Sequence, residues 1–434
     1  MQAVNLIHRK RSGGDLAREE IDFFLQEFSS GRLPDYQASA LLMAIYFNGM
    51  NDQELSDWTE SLTSLTPKVD LSDLGTPQVG GCSTGGVGDK TSLIVGSLVA
   101  CAGIPVPLLS GTPLLHTSAA AEIVNAIPGF KAKLKAQEFK SALKKTGVVV
   151  LSETEEFVPA DFKLAQLRNR TGTAECAPLI AASLLSGALA CGVNELVVDV
   201  KTGSGSLMRK ITDSRRLAQM LVTLGKRLGK KVVAVITDMN QPLGNAIGDA
   251  LEVMEAVETM RGNGPADLVD VSLELAARMV IVARPETSLE SAKEQMFRLL
   301  NDGSALKKFR QMIETQGGNP DVIENFQLLP NASAEHIISS PRAGYVSRVS
   351  ADEIGQAVAL LSSGSTSKNS HKDSAVGIVL EHKVGDHIQA GERLCTIYFN
   401  DAAPVEEASQ MVEDAFHISS AQPESQPLIY EVIQ

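Results

Sequence analysis

From Gly80 onward, short runs rich in branched residues (VPLLS, GVVVLS, ELVVDV, KVVAVITD) alternate with helical stretches. This alternation restricts the fold more than any other feature. A strand, a crossover helix and a returning strand build a mostly parallel sheet, because parallel neighbours need a long connection. One stretch breaks the pattern. Asp161 to Cys191 reads as helix, turn and helix with no strand, and suits a return of the chain to an earlier helical section.

That earlier section is the N-terminus. Ile21, Phe24, Leu25 and Phe28 recur at helical spacing. Pro34 and Asp35 open a second helix, with Asp35 as its cap, and Leu42, Ile45 and Tyr46 are expected in the core. Asn51 followed by Glu54 has the form of a capping box for a third. The expected architecture is α/β: a small discontinuous all-helical domain (1–66 and 162–193), a large α/β domain with a mostly parallel central sheet (79–155 and 196–330), and a C-terminal α+β domain (331–434). In the last, GIVLEHKVGDHIQAGERLCTIY resembles the barrel-sandwich of lipoyl and biotinyl domains. Lys383 is not in the tight turn of a carrier lysine, so the module reads as structural. The polar stretch LSSGSTSKNSHKDS reads as a flexible surface loop. Linkers near 66–79, 155–162 and 192–196 would form a hinge, with the ligand in the cleft between the parts.

Between hinge and sheet lies GGCSTGGVGDKTS, Gly80 to Ser92, followed by the helical SLIVGSLVACAG. Residues without a Cβ let backbone N–H groups turn inward, and a helix start favours anions. The spacing fits neither a dinucleotide fingerprint nor a phosphate-binding loop ending in GK[ST]. An ordinary strand-to-helix turn would look the same. A thiol at such a loop, Cys82, is either a low-pKa acid or nucleophile or a small filler.

The bulk properties narrow the partners. The 434 residues carry a net charge of −13 and only 4% aromatics. This argues against nucleic acid and anionic membranes and for a small ligand. The 5 cysteines form no CxxC pair, so a reducing cytoplasm is expected and a zinc site is not. No secretory signal or membrane span is read in the sequence.

Several strings together resemble the pyrimidine-nucleoside phosphorylases and thymidine phosphorylases: STGGVGDK, DVKTGSG, TDMNQPLG, and AVGIVLEHKVGDHIQAGE near the end. The resemblance implies a pentosyltransferase that exchanges a pyrimidine base for phosphate and yields a pentose 1-phosphate. It further implies a helical domain holding the nucleoside and pairing two copies, and an α/β domain holding phosphate. Arg168 and Ser183 match base-contacting positions; Ser83, Thr84, Ser92 and Ser110 fall on the phosphate side. Gly88, Lys90, Leu243, Ala246 and Glu255 match positions that hold a monovalent cation such as K+, the first four largely through backbone oxygens. No organic cofactor is implied. Lys201 is either a cleft-facing cation or a structural ion-pair partner.

The departures from the family pattern converge on one pocket. Gly81 and Cys82 stand where a lysine and a histidine are expected, and Gly187 where a second, base-contacting lysine is. Ala120 replaces a threonine, Thr112 an arginine, Ala165 a tyrosine and Asn169 an aspartate. His116 is the one histidine in the matching loop. Each lost charge-assisted hydrogen bond is worth about 1.5–3 kcal/mol. The expectation is a retained scaffold with an altered substrate preference. The alternatives are a catalytically silent binder of a nucleoside or sugar phosphate, and a transferase or hydrolase using another acceptor.

Overall fold

The structure is a computed structural model that describes residues 1–67, 69–111, 119–363 and 372–434. Thr112, His116 and most of the polar stretch before Asp373 lie outside the described residues.

The chain opens with α1 (Ala3–Arg11), α2 (Arg18–Ser29), α3 (Asp35–Asn48) and α4 (Asp52–Ser64). The apolar faces expected from the spacing are buried: Ile21, Phe24, Leu25 and Phe28 on α2, Leu42 and Ile45 on α3. The capping box is present. Asn51 accepts the backbone N–H of Gln53 and Glu54, and the Glu54 carboxylate accepts that of Asn51 at 3.0 Å. Glu54 does more than close its own helix. It also takes the buried Lys10 ammonium at 2.7 Å and the Leu16 N–H at 2.8 Å, tying α1 to α4. Two expectations shift. Asp35 is the first residue of its helix, with Pro34 at the cap position. Tyr46 is 40% exposed and lies edge-on to Phe47, because one residue past Ile45 turns it about 100° from the buried face.

The next section runs β1 (Val79–Ser83), α5 (Thr91–Cys101), β2 (Val106–Ser110), α6 (Ala120–Asn125), α7 (Ala136–Thr146) and β3 (Val148–Ser152). Then come α8 (Pro159–Thr171), α9 (Ala177–Ala190), β4 (Glu195–Thr202), α10 (Ile211–Arg227), β5 (Lys231–Asp238) and the short β6 (Ala246–Ile247). The four strand-like runs are all strands. β1, β4 and β5 are parallel neighbours, and β2 and β3 form a parallel pair. The pair lies beside β1, where the Val79 N–H donates to Pro105 O at 3.2 Å. α8 packs on α2 and α3, and α9 on α4. Leu164, Leu179, Ile180 and Leu185 share one buried cluster with Ile21 and Trp58. The helical part is therefore built from two separate pieces of chain.

One boundary inside the glycine-rich stretch differs from a plain loop. Gly80 to Ser83 belong to β1, and the turn proper is Thr84 to Lys90. Small residues suit this strand because its neighbours crowd it: a Cβ on Gly80 would lie 2.9 Å from Leu196 Cδ1.

Four helices follow: α11 (Asp249–Met260), α12 (Ala266–Ala283), α13 (Leu289–Asn301) and α14 (Ser304–Thr315). The C-terminal module adds β7 (Ala334–Ser339), β8 (Gly344–Val349), α15 (Ala351–Ser363), β9 (Gly377–Leu380), β10 (His387–Ile388) and β11 (Arg393–Phe399). It ends with α16 (Val405–Ala415), β12 (Phe416–Ser419) and β13 (Ile429–Ile433). Strands β10-β8-β12 form one sheet and β6-β9-β11-β7 another. A division at residue 331 therefore misses two exchanges. β6 leaves the α/β part to pair with β9, and β13 returns to cover the edge of β5, antiparallel to it. Neither exchange is visible in strings so short, since pairing partners lie far away in sequence. Lys383 is a fixed strut, donating to Pro242 O at 2.5 Å, Gly244 O at 2.7 Å and Asp267 at 2.8 Å.

Candidate active site

The ends of β1, β2 and β3 point the chain into a cleft closed on its far side by α8 and α9. Counting its open mouth, the cleft is about 1160 Å³. Parallel sheets place ligands at the carboxyl ends of their strands, and this cleft follows that rule.

The α/β wall comes from Gly81, Cys82, Ser83, Thr84, Ser92, Ser110 and Ala120. Its hydroxyls are already organised. Ser83 Oγ donates to Asp89 at 2.5 Å and accepts the Gly85 N–H at 3.1 Å. Thr84 Oγ1 accepts the Lys201 N–H at 2.9 Å. Ser110 Oγ accepts the Ala121 N–H at 2.9 Å, at the start of α6. Ser92 lies in the first turn of α5, where unpaired N–H groups and the dipole favour an anion.

Beneath this wall lies a buried charge cluster. Lys201 is fully buried and sits 2.5 Å from Asp199 and 3.7 Å from Asp89. Burial disfavours the Lys201 ammonium, but the two carboxylates outweigh it and raise its pKa. Burial likewise opposes Asp89, yet Lys201 and the Ser83 and Thr91 hydroxyls hold its carboxyl below the usual range. Asp199 goes the other way, raised by burial first and by Asp89 as well. Lys201 does not line the cleft, so the ion-pair reading of this lysine is the one that holds.

Cys82 faces the cleft at the end of β1. Desolvation of its sulfur, with a smaller push from Asp199, raises the thiol to about 12. This corrects the idea of an activated thiol. The charge that acts on the sulfur is negative.

The helical wall carries Ala165, Arg168, Ser183 and Gly187. Arg168 is buried and locked. Its guanidinium donates to Ala174 O at 2.7 Å, Thr173 O at 3.3 Å and Leu179 O at 3.5 Å. Burial lowers its pKa, with Asp161 opposing, yet an arginine keeps its charge. Of about five N–H groups on a guanidinium, two are left for a ligand. Ser183 Oγ donates to Asp161 at 2.6 Å, leaving its lone pairs for a ligand donor. Burial raises the Asp161 carboxyl, against the Ser183 hydrogen bond and Arg168.

The two glycines at which the resemblance leads one to expect lysines are closely packed. A Cβ on Gly187 would lie 2.7 Å from Leu109 Cδ2, and one on Gly81 3.2 Å from Met279 Sδ. Apolar side chains occupy the space beside both glycines. Among the described residues lining the cleft there is no lysine. Two acidic residues at the site were not singled out from sequence. Asp161 holds Ser183, and Glu153 lines the cleft just past β3. The signal for Glu153 was its place at a strand's carboxyl end.

The expected cation positions are also together. Gly88, at φ +74°, abuts Leu243 O, and the Lys90 side chain reaches the carbonyls of Leu243 and Ala246 and the Glu255 carboxylate.

Comparison with known proteins settles the lineage. The glycosyl transferase family helical bundle domain matches residues 4–65, the family's a/b domain matches 75–306, and the pyrimidine nucleoside phosphorylase C-terminal domain matches 345–419. A pyrimidine-nucleoside phosphorylase of Geobacillus stearothermophilus is 40% identical over 433 residues, covering 100% of both chains. One of Staphylococcus epidermidis is 39% identical over the same span. The chain belongs to the pyrimidine-nucleoside phosphorylase family. It is a pentosyltransferase-type enzyme related to those phosphorylases. A solved anthranilate phosphoribosyltransferase of Thermus thermophilus shares the fold at a TM-score of 0.59, with 15% identity, over 72% of this chain and 99% of the other. In this chain the Arg168 guanidinium and the serine-lined wall share the cleft, and apolar side chains crowd Gly81 and Gly187. No described helix is long and apolar enough to cross a membrane.

Proposed function

We propose that the protein cleaves the glycosidic bond of a pyrimidine (2′-deoxy)ribonucleoside with phosphate as acceptor. The products are the free base and a pentose 1-phosphate, and the substrate preference differs from that of its relatives. One observation carries this reading: Arg168 and Ser183 face the serine-lined wall across a single cleft. Two free guanidinium N–H groups and a serine lone pair complement the acceptor and donor on the edge of a pyrimidine-dione. The α5 start with Ser83, Ser92 and Ser110 supplies the phosphate side. Charge building on the departing base would be stabilised by Arg168 as the sugar takes on oxocarbenium character, and the two parts closing on the cleft would align the reactants.

The altered preference rests on the missing lysines. A cleft with fewer cations suits a base that leaves easily or carries its own positive charge. Two copies would pair through α3, whose Tyr36 and Phe47 are exposed. The lack of a lysine among the described cleft residues favours a second reading, in which phosphate is gripped too weakly to compete and water is the acceptor.

Incubation with a nucleoside panel, followed by phosphorus NMR, tests the proposal. A pentose 1-phosphate signal that grows with base release supports the first reading. Free pentose alone supports the second. No release by folded protein contradicts both and leaves a binder.

A further inference from the structure

The cage expected to hold a monovalent cation does not fit one here, because a side chain is already at its centre. Lys90 is fully buried, and its ammonium donates to Ala246 O at 2.7 Å, Leu243 O at 3.3 Å and the Glu255 carboxylate at 2.5 Å. Those are three of the groups that would ligate the ion. The other two are committed elsewhere. The Gly88 carbonyl accepts the Lys90 backbone N–H at 3.0 Å, and Lys90 itself enters the cage by its side chain. The glycines leave no slack. A Cβ on Gly88 would lie 2.7 Å from Leu243 O, and one on Gly244 would lie 3.1 Å from Lys90 Nζ.

We infer that Lys90 is a tethered cation: its ammonium does permanently, within the chain, what a bound monovalent ion would do from solution. The charge is the same and the acceptors are the same. Reaching from the turn before α5, it ties two further segments together, residues 243–246 and Glu255 on α11. The Glu255 carboxylate also accepts the N–H of Asn245 at 2.9 Å and of Ala246 at 3.1 Å, so it orders the loop that the ammonium holds. Lys90 is a positioning residue. It is the cap position of α5, two residues before Ser92, and it fixes the wall of the cleft without touching a reactant. The inference stands whether or not the cleft carries out phosphorolysis. A covalent tether has a testable consequence, because the protein has no cation requirement to saturate.

The test is thermal unfolding of the full chain in choline chloride, titrated with potassium chloride at constant ionic strength. The wild-type midpoint is expected to stay flat. Lys90→Thr, which empties the cage, is expected to lose about 5 °C or more in choline, since removing one partner of a buried pair is strongly destabilising. Potassium should then recover much of that loss in a saturable way. A saturable rise of the wild-type midpoint with potassium overturns the inference, as does a Lys90→Thr midpoint in choline equal to that of the wild type. Should Lys90→Thr not fold, crystals of the wild-type protein soaked in thallium(I), a potassium mimic, decide the matter. No anomalous peak within the Leu243–Ala246–Glu255 cage supports the tether, and a peak there overturns it.

Discussion

Gly187, where the resemblance implies a lysine, is part of the packing. Leu109 lies against it, and a Cβ at 187 would come within 2.7 Å of its Cδ2. Gly187→Lys alone is therefore expected to cost about 1–3 kcal/mol by overpacking, measured by denaturant unfolding. Combined with Leu109→Ala, the lysine gains room, and the KM for a pyrimidine nucleoside should fall. Arg168 is held by several partners at once. Arg168→Lys leaves carbonyls of Thr173, Ala174 and Leu179 short of donors. Each unsatisfied buried group costs about 1–3 kcal/mol, so both the unfolding free energy and nucleoside binding, read by calorimetry, should drop. Arg168 and Ser183 were legible only as candidates, by position within the family resemblance, since none of the matching strings contains them. Glu153 and Asp161 were not, since a lone carboxylate in a string announces neither its burial nor its partner. Cys82 was legible as an identity only. Its thiol chemistry depends on desolvation and on Asp199, which reaches it through the β1–β4 pairing, Cys82 lying opposite Val198.

At the scale of elements, α11 carries a carboxyl that titrates out of its usual range. Burial pushes Glu252 up to about 7, only partly offset by Lys90. A carboxyl with a raised folded pKa binds its proton more tightly in the folded state. Its contribution to stability is thus greatest below the ordinary carboxyl range and is lost as pH rises toward 7. Glu252→Gln should therefore be more stable than the wild type at pH 8, with the gap closing near pH 4.5 and below, as read by unfolding midpoints across that span. The strand β13 makes a second element-scale prediction. Ending the chain before Leu428 uncovers the edge of β5, which β13 pairs along residues 234–237. The truncated protein should unfold earlier and aggregate on heating, visible in light scattering. The parallel strands were readable from their branched runs, and the helices from their spacing. β6 and β13 were not, because a two-residue strand and a terminal run have no periodicity of their own and owe their existence to partners remote in sequence, β9 in the one case and β5 in the other.

Across the whole molecule, two separate pieces of chain build the helical part, the second of them (α8 and α9) walls one side of the cleft, three strand ends wall the other, and the reactants would meet between them. The discontinuity was legible as a missing strand between β3 and β4. The cleft's charge was not, because it depends on which side chains have closed over the glycines and on Lys201 being held below the surface with Asp199 and Asp89. We propose that this cleft couples base release to an anion that it grips weakly. The initial rate of base release from uridine and thymidine, followed as phosphate is raised at constant ionic strength, tests that most directly. The rate should climb with phosphate and be slow to saturate. It should saturate earlier in nucleoside once Gly187→Lys is combined with Leu109→Ala. A rate that is the same with and without phosphate would contradict the account.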